Sequence, residues 1–211
     1  PRPTGGSACG WNPWRVPPPL SLVGASSAVG VPADILSARD RPRCVPPVIG
    51  PILLALSWVL LRLEGRRLDA IGVDRPWTRT KEFALGCAML GSAAAMQQLG
   101  LAFSAGDRFV VNPALDARAL LDHLRFTINS VLFEELLFRG YLLYRAIRWL
   151  GPRRAVWLDA AAFGVYHWFT YGVIGNPVVM AYVFLLTGMY GYMWARAFVA
   201  TGSVAAPIGL H

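Results

Sequence analysis

Long apolar stretches separated by short basic segments dominate the chain. Stretches without Asp, Glu, Lys or Arg include Cys44–Leu61, Phe83–Gly106 and Ala160–Ala195, the last containing His167. They run to 18, 24 and 36 residues. A helix needs about 20 apolar residues to cross a bilayer core, so the second is long enough and the first is at the limit. The third is broken by Gly175–Asn176–Pro177 and reads as two crossings joined by a turn. This pattern predicts helices over 46–63, 83–103, 126–150, 153–171 and 178–195, with another opening at 201–211. Residues 1–19 read as irregular, and Leu20–Ala33 as a weak first span or an interfacial piece. Residues 116–125 read as the entry to the third helix. The predicted fold is all-α: a multi-pass transmembrane helical bundle of about six spans, counting a weak first or an incomplete last one. Residues 1–43 form an irregular or weakly apolar N-terminal region, and 44–211 a helical membrane domain.

Charge distribution adds an orientation. Arg62, Arg66, Arg67, Arg75, Arg79 and Lys81 fall in one connecting segment, and Arg145, Arg148, Arg153 and Arg154 around another. Short loops rich in Lys and Arg stay on the cytoplasmic side, which assigns segments 62–81, 145–154 and 196–200 there. The net charge of +8 therefore reports topology. Nucleic-acid binding, which wants basic residues on one face with stacking aromatics, has no such pattern here. Overall, 55% hydrophobic and 15% charged residues place the chain outside ordinary soluble composition. Cys9, Cys44 and Cys87 lack metal-ligand spacing and are odd in number, so free buried thiols are expected. Tyr141, Tyr144, Trp149, Trp157, Trp168 and Trp194 fit headgroup belts. The chain begins without Met and stops at His211 inside an apolar segment, so a fragment is expected.

One apolar helix carries Glu134, Glu135 and Arg139. Ionisable groups at such a position are costly and need partners, a wet cavity or a function. Glu135 and Arg139 are four apart and share a face. Glu134 is turned about 100° away and lacks that partner. Counted from the basic ends, Glu134 and His167 lie about 21 Å and His211 about 15 Å along their helices, so the three reach comparable depths. Glu134 and His167 are then expected to hold a water molecule between them. A buried network tying three helices together stays open as the structural alternative. Two His and one Glu also make a conceivable zinc set, although His-Glu-x-x-His is absent. His123, beside Asp122, reads as ordinary surface. No Gly-x-Ser-x-Gly supports a serine nucleophile, and Cys87 has no evident base.

These residues resemble the CAAX prenyl protease type II and bacteriocin-processing (CPBP, or Abi) intramembrane proteases. Glu134–Glu135–Leu136–Leu137–Phe138–Arg139 is similar to the Glu-Glu-x-x-x-Arg motif of that family, and Phe163–Gly164–Val165–Tyr166–His167 to its Phe-x-x-x-His motif. His211 resembles the start of a third motif, whose Asn or Asp would lie past the end of the chain. The likeness covers roughly 68–211, with the family core at about 120–211. It implies helical membrane proteins built around a polar cavity. It implies Glu134 as the base that activates water, His167 helping to hold that water, Glu135 and Arg139 as support, and His211 at the oxyanion. It also implies glutamate-type hydrolysis without a metal, although such proteins were long called metalloproteases. If a metal is bound, Glu134, His167 and His211 are its expected ligands, with zinc the candidate ion.

The expected function is thus an intramembrane endopeptidase acting on a peptide or protein substrate in or near the membrane, with no cofactor and no nucleic-acid partner. The expected location is the cell membrane. An Arg-, Ala-, Gly- and Pro-rich composition suggests a GC-rich bacterial source, where prenylated substrates are not expected. The rival expectations are a catalytically silent membrane scaffold or immunity-like protein, and a transporter component with Glu134 and Arg139 on its route.

Overall fold

The computed structural model describes residues 48–106 and 117–211. The expectations for the N-terminal region and for Cys9 and Cys44 lie outside the described residues. Every long element described is a helix: α1 (Ile49–Leu63), α2 (Pro76–Ala105), α3 (Ala117–Leu137), α4 (Leu143–Leu150), α5 (Pro152–Tyr171), α6 (Pro177–Thr201) and α7 (Ala205–Leu210). A single turn of 3-10 helix, Leu68–Ile71, lies between α1 and α2.

Local sequence sets these boundaries. Pro76, Pro152 and Pro177 each open a helix, where the missing N–H would have no partner anyway. The Asn176 side chain caps α6 by accepting from the Val179 N–H at 3.2 Å. Gly172 and Gly202 close α5 and α6 in the left-handed conformation.

Three boundaries differ from the pattern-based expectation, the first being that α2 starts at Pro76 rather than at residue 83. The third helix, expected from residue 126 with 116–125 as its entry, is helical from Ala117, and α6 runs past Arg196 to Thr201. A charged residue that faces outward does not interrupt a helix, and Arg196 is exposed.

The predicted single helix 126–150 is in fact broken. Residues Phe138–Leu142 form one wider π-type turn, and Gly140 has non-helical angles (φ −74°, ψ −126°). The insertion separates α3 from α4 directly after Arg139, where π-type turns tend to mark functional positions. Across the break α1 comes close: a Cβ on Gly140 would stand 3.4 Å from Ser57 Oγ.

Packing is densest in the α5–α6 hairpin. A Cβ on Gly164 would lie 2.7 Å from a Phe184 ring carbon, and one on Gly191 3.0 Å from Phe163 Cβ. Small residues here let the two helices approach closely. Among the small residues of α2, Gly86 alone is buried; its Cβ would stand 2.8 Å from the Ala206 carbonyl oxygen of α7. The rest of α2 beyond Leu90 faces outward. Cys87, expected to be buried, is exposed, because it is one residue round from the single packed face of α2.

At one end, Leu61, Ile71, Leu143, Ala155, Val156, Ala195, Phe198 and Val204 form a core. The Val204 N–H bonds the Ile71 carbonyl oxygen there at 3.1 Å. Segments 62–81, 145–154 and 196–200 thus meet at the same end of the bundle. Toward the middle, Phe138, Phe163 and Trp194 form a second cluster. Among the described residues one helix, Pro177–Thr201, is long and apolar enough to cross a membrane, and Ile49–Leu63 is apolar but shorter. The other predicted spans contain too many Arg, Asp and Glu, or too much Ala, Gly and Ser, for that criterion.

Candidate active site

The site is built around a guanidinium with no exposed surface. Arg139 leaves the end of α3 and points between α5 and α6. Its Nε lies 2.9 Å from Asp159 Oδ2 on α5, and its Nη1 lies 3.3 Å from Glu135 Oε1 one turn back. Nη2 donates to the Gly191 carbonyl oxygen of α6 at 3.1 Å. The Asp159 contact has the separation of an ion pair, but its N–H is not aligned for a hydrogen bond. We weigh it as a charge contact. Aromatic rings close the remaining sides: the guanidinium carbon is 4.5 Å from the centroid of Phe163 and 5.4 Å from that of Trp194. Glycine at 191 makes this possible, since a Cβ there would stand 3.1 Å from Nη2.

Glu135, fully buried, joins the guanidinium to the last residue of the chain. His211 Nδ1–H donates to Glu135 Oε1 at 2.8 Å. The other ring nitrogen, Nε2, is 3.7 Å from Glu134 Oε2. One imidazole therefore spans the two adjacent carboxylates. The His211 ring is stacked on Trp194, with centroids 3.9 Å apart and planes at 19°. Trp194 Nε1–H in turn donates to the Leu210 carbonyl oxygen at 3.2 Å, tying α7 to α6.

His167 is buried on α5, and its Nδ1 is 2.8 Å from the Phe163 carbonyl oxygen. A carbonyl only accepts, so Nδ1 carries a hydrogen and Nε2 is left for other partners. A cavity of about 150 Å³ is lined by Phe163, His167, Thr187, Tyr190, Trp194 and His211 among others. A larger cavity of about 520 Å³ lies between Gly72, Phe83 and Val204 at the basic end and includes none of the candidate residues. Proximity to the ionisable groups makes the smaller one relevant to chemistry.

Glu134, Glu135, Arg139, His167 and His211 are thus gathered from α3, α5 and the end of α7. Glu134 makes no direct contact with His167; its neighbour is His211, which also shares a cavity wall with His167. Among the described residues no group of three or more His, Cys, Asp and Glu side chains is arranged to hold a metal ion. His211 is turned to two carboxylates, and His167 holds Nδ1 against its own helix and keeps Nε2 for other partners. His123 is exposed, as expected.

Two participants were not expected. Asp159 is the sole carboxylate of α5 and stands four residues before Phe163 and eight before His167. That spacing puts all three on one helix face, the signal that would have found it. Trp194, assigned to a headgroup belt, is 5% exposed and is part of the core. Its i,i+3 relation to Gly191 is what carries it to the guanidinium.

Comparison with known families bears on this geometry. Over residues 116–211 the chain matches one family: Type II CAAX prenyl endopeptidase Rce1-like. The matched Rce1-like segment starts at the head of α3 and contains every candidate residue named above. The likeness is to CAAX-type endopeptidases and covers a little under half of the chain. Searches of curated proteins and of solved structures gave no significant match.

Proposed function

We propose that the chain is a multi-pass membrane endopeptidase in which Glu134 activates the attacking water. The observation that carries this is the division of labour between two adjacent carboxylates. Glu135 is fully buried and engaged by Arg139 and His211, whereas Glu134 is 13% exposed and meets only His211 Nε2. A base has to be accessible to water, and Glu134 meets that requirement. It takes a proton from water as the oxygen attacks the scissile carbonyl, and passes it to the departing amine as the C–N bond breaks. His167 Nε2 accepts from the same water and orients it. His211, when protonated, donates at both nitrogens, and its Nε2–H serves the developing oxyanion. Arg139, Asp159 and Glu135 fix the position of His211.

Membrane placement is supported by the exposed apolar surface. The most apolar 18 residues of α6 are 28% buried, whereas a soluble core helix would hide most of them. Phe103, Val178 and Leu185 point outward at 90%, 77% and 68% exposure. Apolar surface on this scale marks a membrane or partner contact.

The test is hydrolysis of a membrane-soluble peptide library by purified wild type and Glu134→Gln, with cleavage read by mass spectrometry. The variant is expected to lose about 10²–10⁴ in rate while remaining folded. Equal cleavage by both would sink the assignment. A second reading, a silent membrane scaffold, draws on the complete burial of Glu135 and Arg139, which a purely structural network shares. That reading expects no cleavage by either protein.

A further inference from the structure

Three tryptophans at the basic end of the bundle are exposed, and each carries a cation. Arg62 lies 5.7 Å from the Trp58 ring centroid, Lys81 5.2 Å from Trp77, and Arg145 4.6 Å from Trp149. The rings are 45%, 72% and 71% exposed. Each pair has the same four-residue spacing, and each is on a different helix: α1, α2 and α4. The helices meet at one end, where Glu64 of the α1 terminus pairs with Arg145 at 3.2 Å and Ile71 bonds Val204.

Charge at this end is unbalanced. Arg79 is answered by Asp74 and Glu82, and Arg145 by Glu64. Arg62, Arg67 and Lys81 have no carboxylate within ion-pair distance among the described residues, and all three are exposed. At the opposite end the described basic residues are Arg118 and Arg125, and Arg125 faces Asp122 at 3.6 Å. A ring under one side of a cation leaves its N–H donors pointing outward. Indole rings settle at the level of lipid headgroups, and basic side chains beside them attract anionic lipid.

We propose that this end of the bundle binds the anionic headgroups of one bilayer leaflet, with Trp58, Trp77 and Trp149 seated at headgroup level. The proposal rests on the membrane placement above and is independent of the protease chemistry. Lipid phosphate is the ligand, since exposed cations and exposed indoles share this end of the bundle.

The test uses the full chain reconstituted in mixed phosphatidylcholine–phosphatidylglycerol bilayers. Bromine is placed on the acyl chains of one lipid or the other, and tryptophan fluorescence quenching gives their relative association. Phosphatidylglycerol is expected to be preferred by roughly fivefold, the factor that one basic contact supplies at a membrane surface. The preference is expected to fall to about one in 0.5 M salt, and in the triple variant Arg62→Gln, Arg67→Gln, Lys81→Gln. Equal quenching by the two lipids in wild type overturns the proposal and leaves membrane placement standing. No quenching by either overturns both. Selective quenching in a protein that cleaves nothing would sink the protease reading and leave this one.

Discussion

Replacing Asp159 by Asn removes the nearest negative charge from a guanidinium that has no exposed surface. Arg139 Nε is 2.9 Å from Asp159, closer than the 3.3 Å to Glu135. Unit charges at that separation attract by about 6 kcal/mol at an effective dielectric of 20. The substitution also relieves the desolvation of the carboxylate itself, which offsets roughly half of that. Glu135 and the Gly191 carbonyl stay in place, so we expect a net loss of about 3 kcal/mol, the lower end for breaking a buried pair. Reversible unfolding in mixed SDS micelles measures it. The decisive arm is a double-mutant cycle. In an Arg139→Met background, Asp159→Asn is expected to cost under about 1 kcal/mol, because the charge it answered is gone. A loss below about 0.5 kcal/mol in wild type, or equal losses in both backgrounds, would refute the claim that Asp159 acts through Arg139.

Other expectations follow from the same geometry. Gly191→Ala drives a Cβ against Phe163 and Arg139 Nη2; overpacking of this kind costs about 1–3 kcal/mol, only partly offset by helix propensity, and thermal denaturation in detergent checks it. Trp194→Leu removes the ring beneath His211 and the bond to Leu210; hydrolysis is expected to fall by roughly tenfold or more, with Trp194→Phe retaining most of it, and steady-state rates on one peptide decide. Chelation by 1,10-phenanthroline is expected to leave the hydrolytic rate unchanged, since water activation is assigned to Glu134; a rate restored by added zinc after chelation would move the mechanism to a metal.

Much of the site is legible in the chain because a helix converts spacing into position. Glu135 and Arg139 must share a face, and depth counted from the basic ends brings Glu134, His167 and His211 to one level. What the spacing could not show is which neighbour each group selects. Glu134 meets His211 directly, because α7 returns against α3 and places the imidazole between the two glutamates. Asp159 was missed for a related reason. It lies just outside the charge-free stretch that begins at Ala160, and its partner on α3 shows only once α5 packs against Arg139. The break at Gly140 also escaped pattern reading, since glycine within an apolar run signals a helix contact as readily as a kink. Trp194 departs from the headgroup position common to membrane tryptophans because it packs against Arg139, Phe163 and His211 in the core.

The bond from Arg139 to the Gly191 carbonyl has a mechanical consequence. Every residue of α6 offers a carbonyl, so the oxygen alone does not single out one position. The bare Cα at 191 does, because the guanidinium and Phe163 fit against no side chain there. Sliding α6 by one turn, about 5.4 Å, would bring Thr187 or Ala195 into that place, and either carries a Cβ. The next glycine, Gly188, is three residues away and about 60° round the helix, so it would face elsewhere. Arg139 therefore acts as a detent that sets both the axial position and the rotation of α6, and with them the ring on which His211 rests.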